Sequence, residues 1–223
     1  MSYHPHIEML QQYAQGSLDD VNAFTIAVHL ESCPHCKEQV RSFEQECGFA
    51  LEQEVPDNQT PVQSLEQMLA SITQTEQIKD PIKLLRQPKT IDVNGRSMTL
   101  PLALSKLYDR IGEWRNYGGK VFSAPIAISG NARVNLMYMA EGVKVPEHTH
   151  KGFESTLVLH GGFSDEEGHY EVGDFLYKDA SVKHSPQTQV GEDCLCLTVL
   201  TEPMIFTQGV ARVFNMFGRG LYP

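Results

Sequence analysis

Gly142-Val-Lys-Val-Pro-Glu-His148-Thr-His150-Lys-Gly-Phe-Glu154-Ser-Thr-Leu-Val-Leu-His-Gly161 is the stretch that decides the fold. His148, His150 and Glu154 share parity, so in an extended chain their side chains leave the same face. Two imidazoles and a carboxylate converging on the inner face of a barrel are costly to bury unless they bind a cation. The segment therefore predicts a β-barrel with a metal inside. A neighbouring strand has to supply a further donor, and His184 is the candidate. It follows Gly173-Asp174 by the length of one strand and a turn, with Pro186 just beyond.

Working outward, the flanking sequence has the same character. Turn signals stand at Asn94-Gly95, Gly118-Gly119 and Gly130-Asn131, and the stretches 133–139, 155–159 and 194–200 alternate between apolar and other residues. Many short, closely spaced strands predict an antiparallel sandwich or barrel over residues 101–223. Cys194 and Cys196 share one face of a late strand. Buried cysteines are usually inert, although this pair stands close enough to raise the question of redox chemistry. His160 and His169 have no place in the metal pattern, and Tyr138, Tyr170 and Tyr177 are unsupported as general bases.

The first 80 residues follow a different period. Ile7, Leu10, Tyr13 and Ala14 make one helical stripe, and Leu18, Val21, Phe24, Thr25 and Val28 make a second. Gly16-Ser17 ends the first helix, with Asp19 or Ser17 as cap of the next. Pro34 suits the first turn of a third helix, which continues through Val40, Phe43 and Cys47. After a polar connector, Val62, Leu65, Met68, Leu69 and Ile72 make a fourth stripe. The expected unit is a small four-helix assembly over residues 1–80. Residues 81–100, with Pro81 and Pro88, read as a linker.

Charge separates the two parts as sharply as period does. The chain carries −10 overall, and residues 1–80 hold 13 acids against three bases, so the remainder nets to zero. An acidic helical unit repels nucleic acid and favours a basic partner, which excludes direct DNA binding. No run of about 18 apolar residues exists to span a membrane. The N-terminus has neither a basic flank nor an apolar stretch, which points to a cytoplasmic protein. Five cysteines are an odd number and speak for metal or redox chemistry rather than a disulfide framework.

Those cysteines include the second constellation, His29-Leu-Glu-Ser-Cys33-Pro-His-Cys36. Two thiolates across one helical turn are a frequent half of a tetrahedral zinc site, and His29 can reach the same ion from the preceding helix. A fourth ligand would come from His4-Pro5-His6, while His35 points outward. A dithiol redox pair is the competing reading, but that motif belongs beside a βαβ unit and no strands flank it here. A structural zinc stapling short helices is favoured.

Both constellations resemble known families. Gly142 to Gly161 matches the first cupin motif, G-x5-H-x-H-x3-E-x6-G, at every defined position. The second, G-x5-P-x-G-x2-H, is met at Gly173 and His184, while Asp179 and Ser181 replace its proline and glycine. The resemblance implies a cupin barrel whose His148, His150, Glu154 and His184 hold zinc or another divalent ion (manganese, iron, nickel or copper), since mixed nitrogen and oxygen donors do not choose among them. The H-x3-C-x2-C core resembles the zinc-binding anti-sigma domain, whose further histidine lies about 25 residues upstream. That makes His4 the implied fourth zinc ligand, with His6 as runner-up. Joined to a cupin, the arrangement looks like the ChrR type of anti-sigma factor. The resemblance implies a regulator that sequesters an extracytoplasmic-function sigma factor through its N-terminal domain. Its cupin would sense stress (singlet oxygen, another oxidant or a small molecule) and gate release. The alternative is a metal-dependent cupin enzyme, a dioxygenase or isomerase.

Overall fold

The structure is a computed structural model that describes residues 1–55, 64–76, 87–128, 132–208 and 212. The N-terminal part is helical. α1 (Ile7–Ala14), α2 (Asp20–Ser32) and α3 (Pro34–Glu52) pack together by burying Leu10, Val21, Ile26, Val28 and Val40. Asp19 caps α2 by accepting the Asn22 amide at 3.1 Å, whereas the Ser17 hydroxyl turns back to the Gln12 carbonyl. Pro34 occupies the first turn of α3, where a missing N–H costs nothing.

α4 (Leu65–Gln74) departs from the expected assembly. It is well formed, with a reciprocal capping box between Ser64 and Gln67. Yet none of its residues is buried, and Leu65, Leu69 and Ile72 are 85, 63 and 69 % exposed. Three helices therefore make the bundle and the fourth keeps its apolar stripe uncovered among the described residues. Val62 of that stripe lies outside the described residues.

Within the stretch read as a linker, residues 90–99 form a hairpin of β1 (Thr90–Val93) and β2 (Arg96–Thr99), turned by Asn94 and Gly95, both at positive φ. Its Ile91, Val93 and Met98 are buried. A short α5 (Leu102–Ser105) and a 3-10 turn lead into the barrel. The strands there are β3 (Arg115–Tyr117), β4 (Val121–Ile126), β5 (Arg133–Met139), β6 (His148–His150), β7 (Glu154–Ser164), β8 (His169–Glu171), β9 (Phe175–Lys178), β10 (Cys194–Leu200) and β11 (Met204–Phe206). The main antiparallel sheet runs β3-β4-β5-β10-β7-β8 with β9 also on β7, and β6 pairs with β11. The turn signal at 130–131 falls outside the described residues.

Parity on β10 sorts two cores. Cys194 and Cys196 face inward with Met139, Val158, Phe163 and Tyr170. Leu195, Leu197 and Val199 face outward, into the same apolar cluster as Ile26 and Val28 of α2 and Leu10 of α1. The helices are thus packed against the outside of the sheet. Gly161, at φ +61°, sits just beyond the point where β7 slips register against β10, and a Cβ there would lie 1.7 Å from the Asp193 carbonyl oxygen. Only glycine fits that position.

A polar seam joins the same two parts. The Glu31 carboxylate of α2 accepts the first amides of α5, from Leu102 at 2.7 Å and from Ala103. Asp174, in the turn between β8 and β9, accepts the Ser2 and Tyr3 amides at 2.6 and 3.1 Å, and Phe175 donates to the Tyr3 carbonyl at 3.0 Å. Gly173 in that turn has φ +91°, and Met1 packs where its Cβ would be.

Candidate metal centres

His4, His29, Cys33 and Cys36 each bring one donor atom within 4.8 Å of the others. His29 lies in the last turn of α2, Cys33 in the break between helices, and Cys36 in the first turn of α3. The break exists because Pro34 stops α2 and starts α3, which turns both thiols to one side. His4 Nδ1 lies 3.4 Å from each sulfur. The His29 ring places Nδ1 3.0 Å from the Gly173 carbonyl oxygen, so that nitrogen donates and Nε2 is left as the lone-pair atom. Nε2 is buried and has no protein partner.

Such an orphaned buried acceptor is expensive unless something fills it. Burial lowers the His29 pKa to about 4, so the ring is neutral. Burial, with Cys33 beside it, pushes the Cys36 thiol up to about 12 in the absence of a cation. A divalent ion reverses that preference by taking the thiolate. The residues fit a four-donor metal site of two sulfurs and two nitrogens. His6 turns instead to Tyr177, with ring centroids 6.0 Å apart, and His35 is exposed beside His4.

The second cluster brings together His148, His150, Glu154 and His184, all buried, with donor atoms again within 4.8 Å. β6 carries both first histidines on one face, and β7 begins at Glu154 with the same parity. His184 arrives through a backbone bridge to His148, with reciprocal N–H···O bonds of 3.0 and 3.1 Å. The turn before it is unorthodox. Asp179 Oδ1 accepts the Ser181 amide at 2.8 Å and its hydroxyl at 2.5 Å, a side-chain turn that does the work of the missing proline and glycine.

Each of these rings presents Nε2 to the centre or is held so that it can. His148 Nδ1 donates to the Pro146 carbonyl at 2.9 Å, leaving Nε2 free. His150 Nε2 is 3.0 Å from Glu154 Oε2 and 3.3 Å from His184 Nε2. His184 Nδ1 faces Asp165 Oδ2 at 3.3 Å, and its Nε2 is 3.3 Å from Glu154 Oε2. Burial lowers His148 to a pKa of about 4. Burial also opposes protonation of His184, but the Asp165 and Glu154 carboxylates outweigh it and raise that ring to about 9. Burial alone would raise Glu154, yet His150 and His184 hold it well below the usual carboxylate range. Without a metal the proton on His184 balances Glu154. A divalent ion would replace that proton and satisfy all four donors at once.

Behind His184 stands a group that the motif reading did not find. Asp165 accepts from the Tyr170 hydroxyl at 2.8 Å and pairs with Lys178 at 3.0 Å, and Lys178 also meets Glu167. A carboxylate so held fixes the His184 tautomer. The sequence signal was the acid run Asp165-Glu166-Glu167 in the turn between β7 and β8, but its register against His184 needs the fold. Tyr170 donates to Asp165, and burial pushes its hydroxyl pKa upward, so it is no general base. Tyr138 likewise donates to Asp193 at 2.9 Å. His160 and His169 are exposed, beside Asp193 and Ser164. Cys194 and Cys196 are buried with sulfurs 3.4 Å apart. Their mutual hydrogen bond, and then burial, raises the Cys194 thiol pKa and keeps it unreactive.

Known proteins resemble this chain in sequence and fold. Residues 113–203 match the family model of the ChrR cupin-like domain. The chain is 29% identical over 225 residues to the anti-sigma-E factor ChrR of Cereibacter sphaeroides, covering 97% of this chain and 98% of that protein. It also superposes on the crystal structure of Rhodobacter sphaeroides SigE in complex with the anti-sigma ChrR with a TM-score of 0.68 and 27% identity, covering 89% of this chain and 98% of the matched one. No described helix is long and apolar enough to cross a membrane. The likeness to ChrR spans both halves of the chain, the helical unit with its Cys/His cluster and the cupin-like domain that follows it.

Proposed function

We propose that this protein is an anti-sigma factor that sequesters an extracytoplasmic-function sigma factor through residues 1–80. The observation that carries this reading is the uncovered stripe of α4. Leu65, Met68, Leu69 and Ile72 repeat at helical spacing on a capped helix, and all four are exposed. Phe49 and Leu51 near the end of α3 are exposed as well, at 65 and 69 %. An amphipathic helix that leaves its apolar face bare is built to lie in a partner's groove. The partner named in the solved relative is the sigma factor SigE, and the acidity of residues 1–80 suits a basic partner. The same full-length likeness favours a regulator over a cupin enzyme, although enzymes share the barrel.

In this reading His4, His29, Cys33 and Cys36 hold a zinc ion, since two thiolates and two imidazoles suit it best. That zinc fixes the angle between α2 and α3. His148, His150, Glu154 and His184 hold zinc or another divalent transition metal in the barrel, where it supplies a Lewis-acid centre. The barrel is the receiver of a stress signal in the cytoplasm, and the seam with the helices carries it to the sigma-binding surface.

The test is co-purification of the full chain with its cognate sigma factor. The wild-type protein with zinc bound should hold the sigma factor tightly. Leu69→Asp and Ile72→Asp should each weaken the complex by on the order of 30-fold, as for a buried anchor in an interface. Zinc content should not change, because none of the four donors lies on α4 and both side chains are exposed. A zinc-loaded wild-type chain that retains no sigma factor refutes the reading.

A further inference from the structure

Three of the four barrel donors, His148, Glu154 and His184, open onto a cavity of about 590 Å³. That volume suits a small-molecule site. Its walls are mostly hydrocarbon and sulfur: Val121, Met137, Met139, Phe163, Met204 and Phe206. Met139, Phe163 and Met204 are buried, whereas Lys120 and Lys144, which also line it, are exposed and so mark its mouth. Glu154 is the one acidic side chain among the described lining residues.

The chemistry of an occupant follows from these walls. A divalent ion held by three neutral imidazoles and one carboxylate keeps a net positive charge. With two lysines at the entrance, the field selects an anion. Away from the donors and the lysines, the hydroxyls of Tyr117, Thr156 and Thr198 are the few polar side-chain groups on the walls, and Thr198 lies 3.4 Å from the Asn135 carbonyl, to which it donates. A sugar acid would strand its hydroxyls there, each at a desolvation cost. We propose that the cavity binds an amphipathic monoanion, a medium-chain carboxylate, with its head on the barrel metal and its hydrocarbon against the Met-lined wall. Methionine suits this task because its unbranched thioether adapts to chains of different length. The proposal rests on the metal-site reading above and names the class of small molecule that the barrel would receive.

The experiment is calorimetric titration of the full, metal-loaded chain with hexanoate, octanoate and decanoate below their micellar concentrations, with metal content measured on the same sample. Each added methylene should tighten binding about fourfold until the cavity is full, so decanoate should bind on the order of tenfold or more above hexanoate. 1-Octanol, which lacks the anionic head, should bind at least tenfold more weakly than octanoate. Lys120→Glu with Lys144→Glu, both exposed and harmless to folding, should weaken octanoate several-fold and blunt its salt dependence. At two metals per chain, a flat octanoate titration, affinities independent of chain length, or octanol equal to octanoate overturns the proposal alone. One metal per chain, with no octanoate binding, overturns the barrel-metal reading and the proposal together. Neither result bears on retention of the sigma factor.

Discussion

His184 stands furthest in sequence from the other barrel donors, and its surroundings decide its orientation. Asp165 faces its Nδ1, Lys178 and Tyr170 hold Asp165 in turn, and the Asp179–Ser181 turn delivers the ring to the site. Asp165→Asn keeps the shape but removes the negative acceptor. It should lower metal affinity of the barrel by about 10- to 100-fold, the usual cost of losing such a partner, and leave the Cys33–Cys36 centre filled. Competition with a chromophoric chelator would show this, and unchanged affinity would mean that Asp165 does not position the ring. At the other centre, Cys36→Ser removes a donor that has only a buried alternative. Zinc should then be lost to mild chelation, and the helices should melt at lower temperature, since metal-binding energy is folding energy in so small a unit.

The elements differ in how far their residues announce them. β6 and the start of β7 were legible because three donors fall within seven residues and parity alone puts them on one face. The break at Cys33-Pro34 was legible for the same local reason. The four-helix reading went astray at α4, because a 3.6-residue stripe looks the same whether its own domain or another protein covers it. Asp165, Lys178 and Tyr170 were illegible as a group, since they meet only through the register of β7 with β8 and β9. The substituted turn before His184 hid its function too, because an Asp-x-Ser side-chain turn replaces a Pro-x-Gly backbone turn with different letters. Gly161 offers an element-scale test. Gly161→Ala would need a left-handed alanine with its Cβ inside the Asp193 carbonyl. Strain of that kind should cost about 2 kcal/mol or more, read as a lower midpoint in denaturant; an unchanged midpoint would mean that the β7–β10 slip relaxes freely.

At the scale of the whole molecule, the two metal centres are linked by a short run of contacts. His4 adjoins Tyr3, whose ring lies 4.8 Å from that of Tyr170, and Tyr170 donates to the Asp165 that faces His184. His29 meanwhile leans on Gly173, one residue from the Asp174 that ties down Ser2 and Tyr3. Emptying the barrel site by His184→Ala should therefore change zinc affinity at the thiols by about fivefold or more, within the usual range for coupled sites. Tyr3→Ala should erase most of that difference. Equal zinc affinities in wild type and His184→Ala would show that the centres ignore each other.

The apolar cluster that runs from Leu10 and Ile26 through to Leu197 and Val199 has a consequence for descent. Neither half can be exchanged for that of a distant relative as a free cassette. A helical unit grafted onto a foreign barrel would arrive with the wrong counter-surface for α2 and, unless the turn at position 173 held the same left-handed backbone, without a carbonyl placed to orient His29. Lineages that keep both parts are therefore obliged to inherit them together, and substitutions at this buried face on one side should be answered by substitutions on the other.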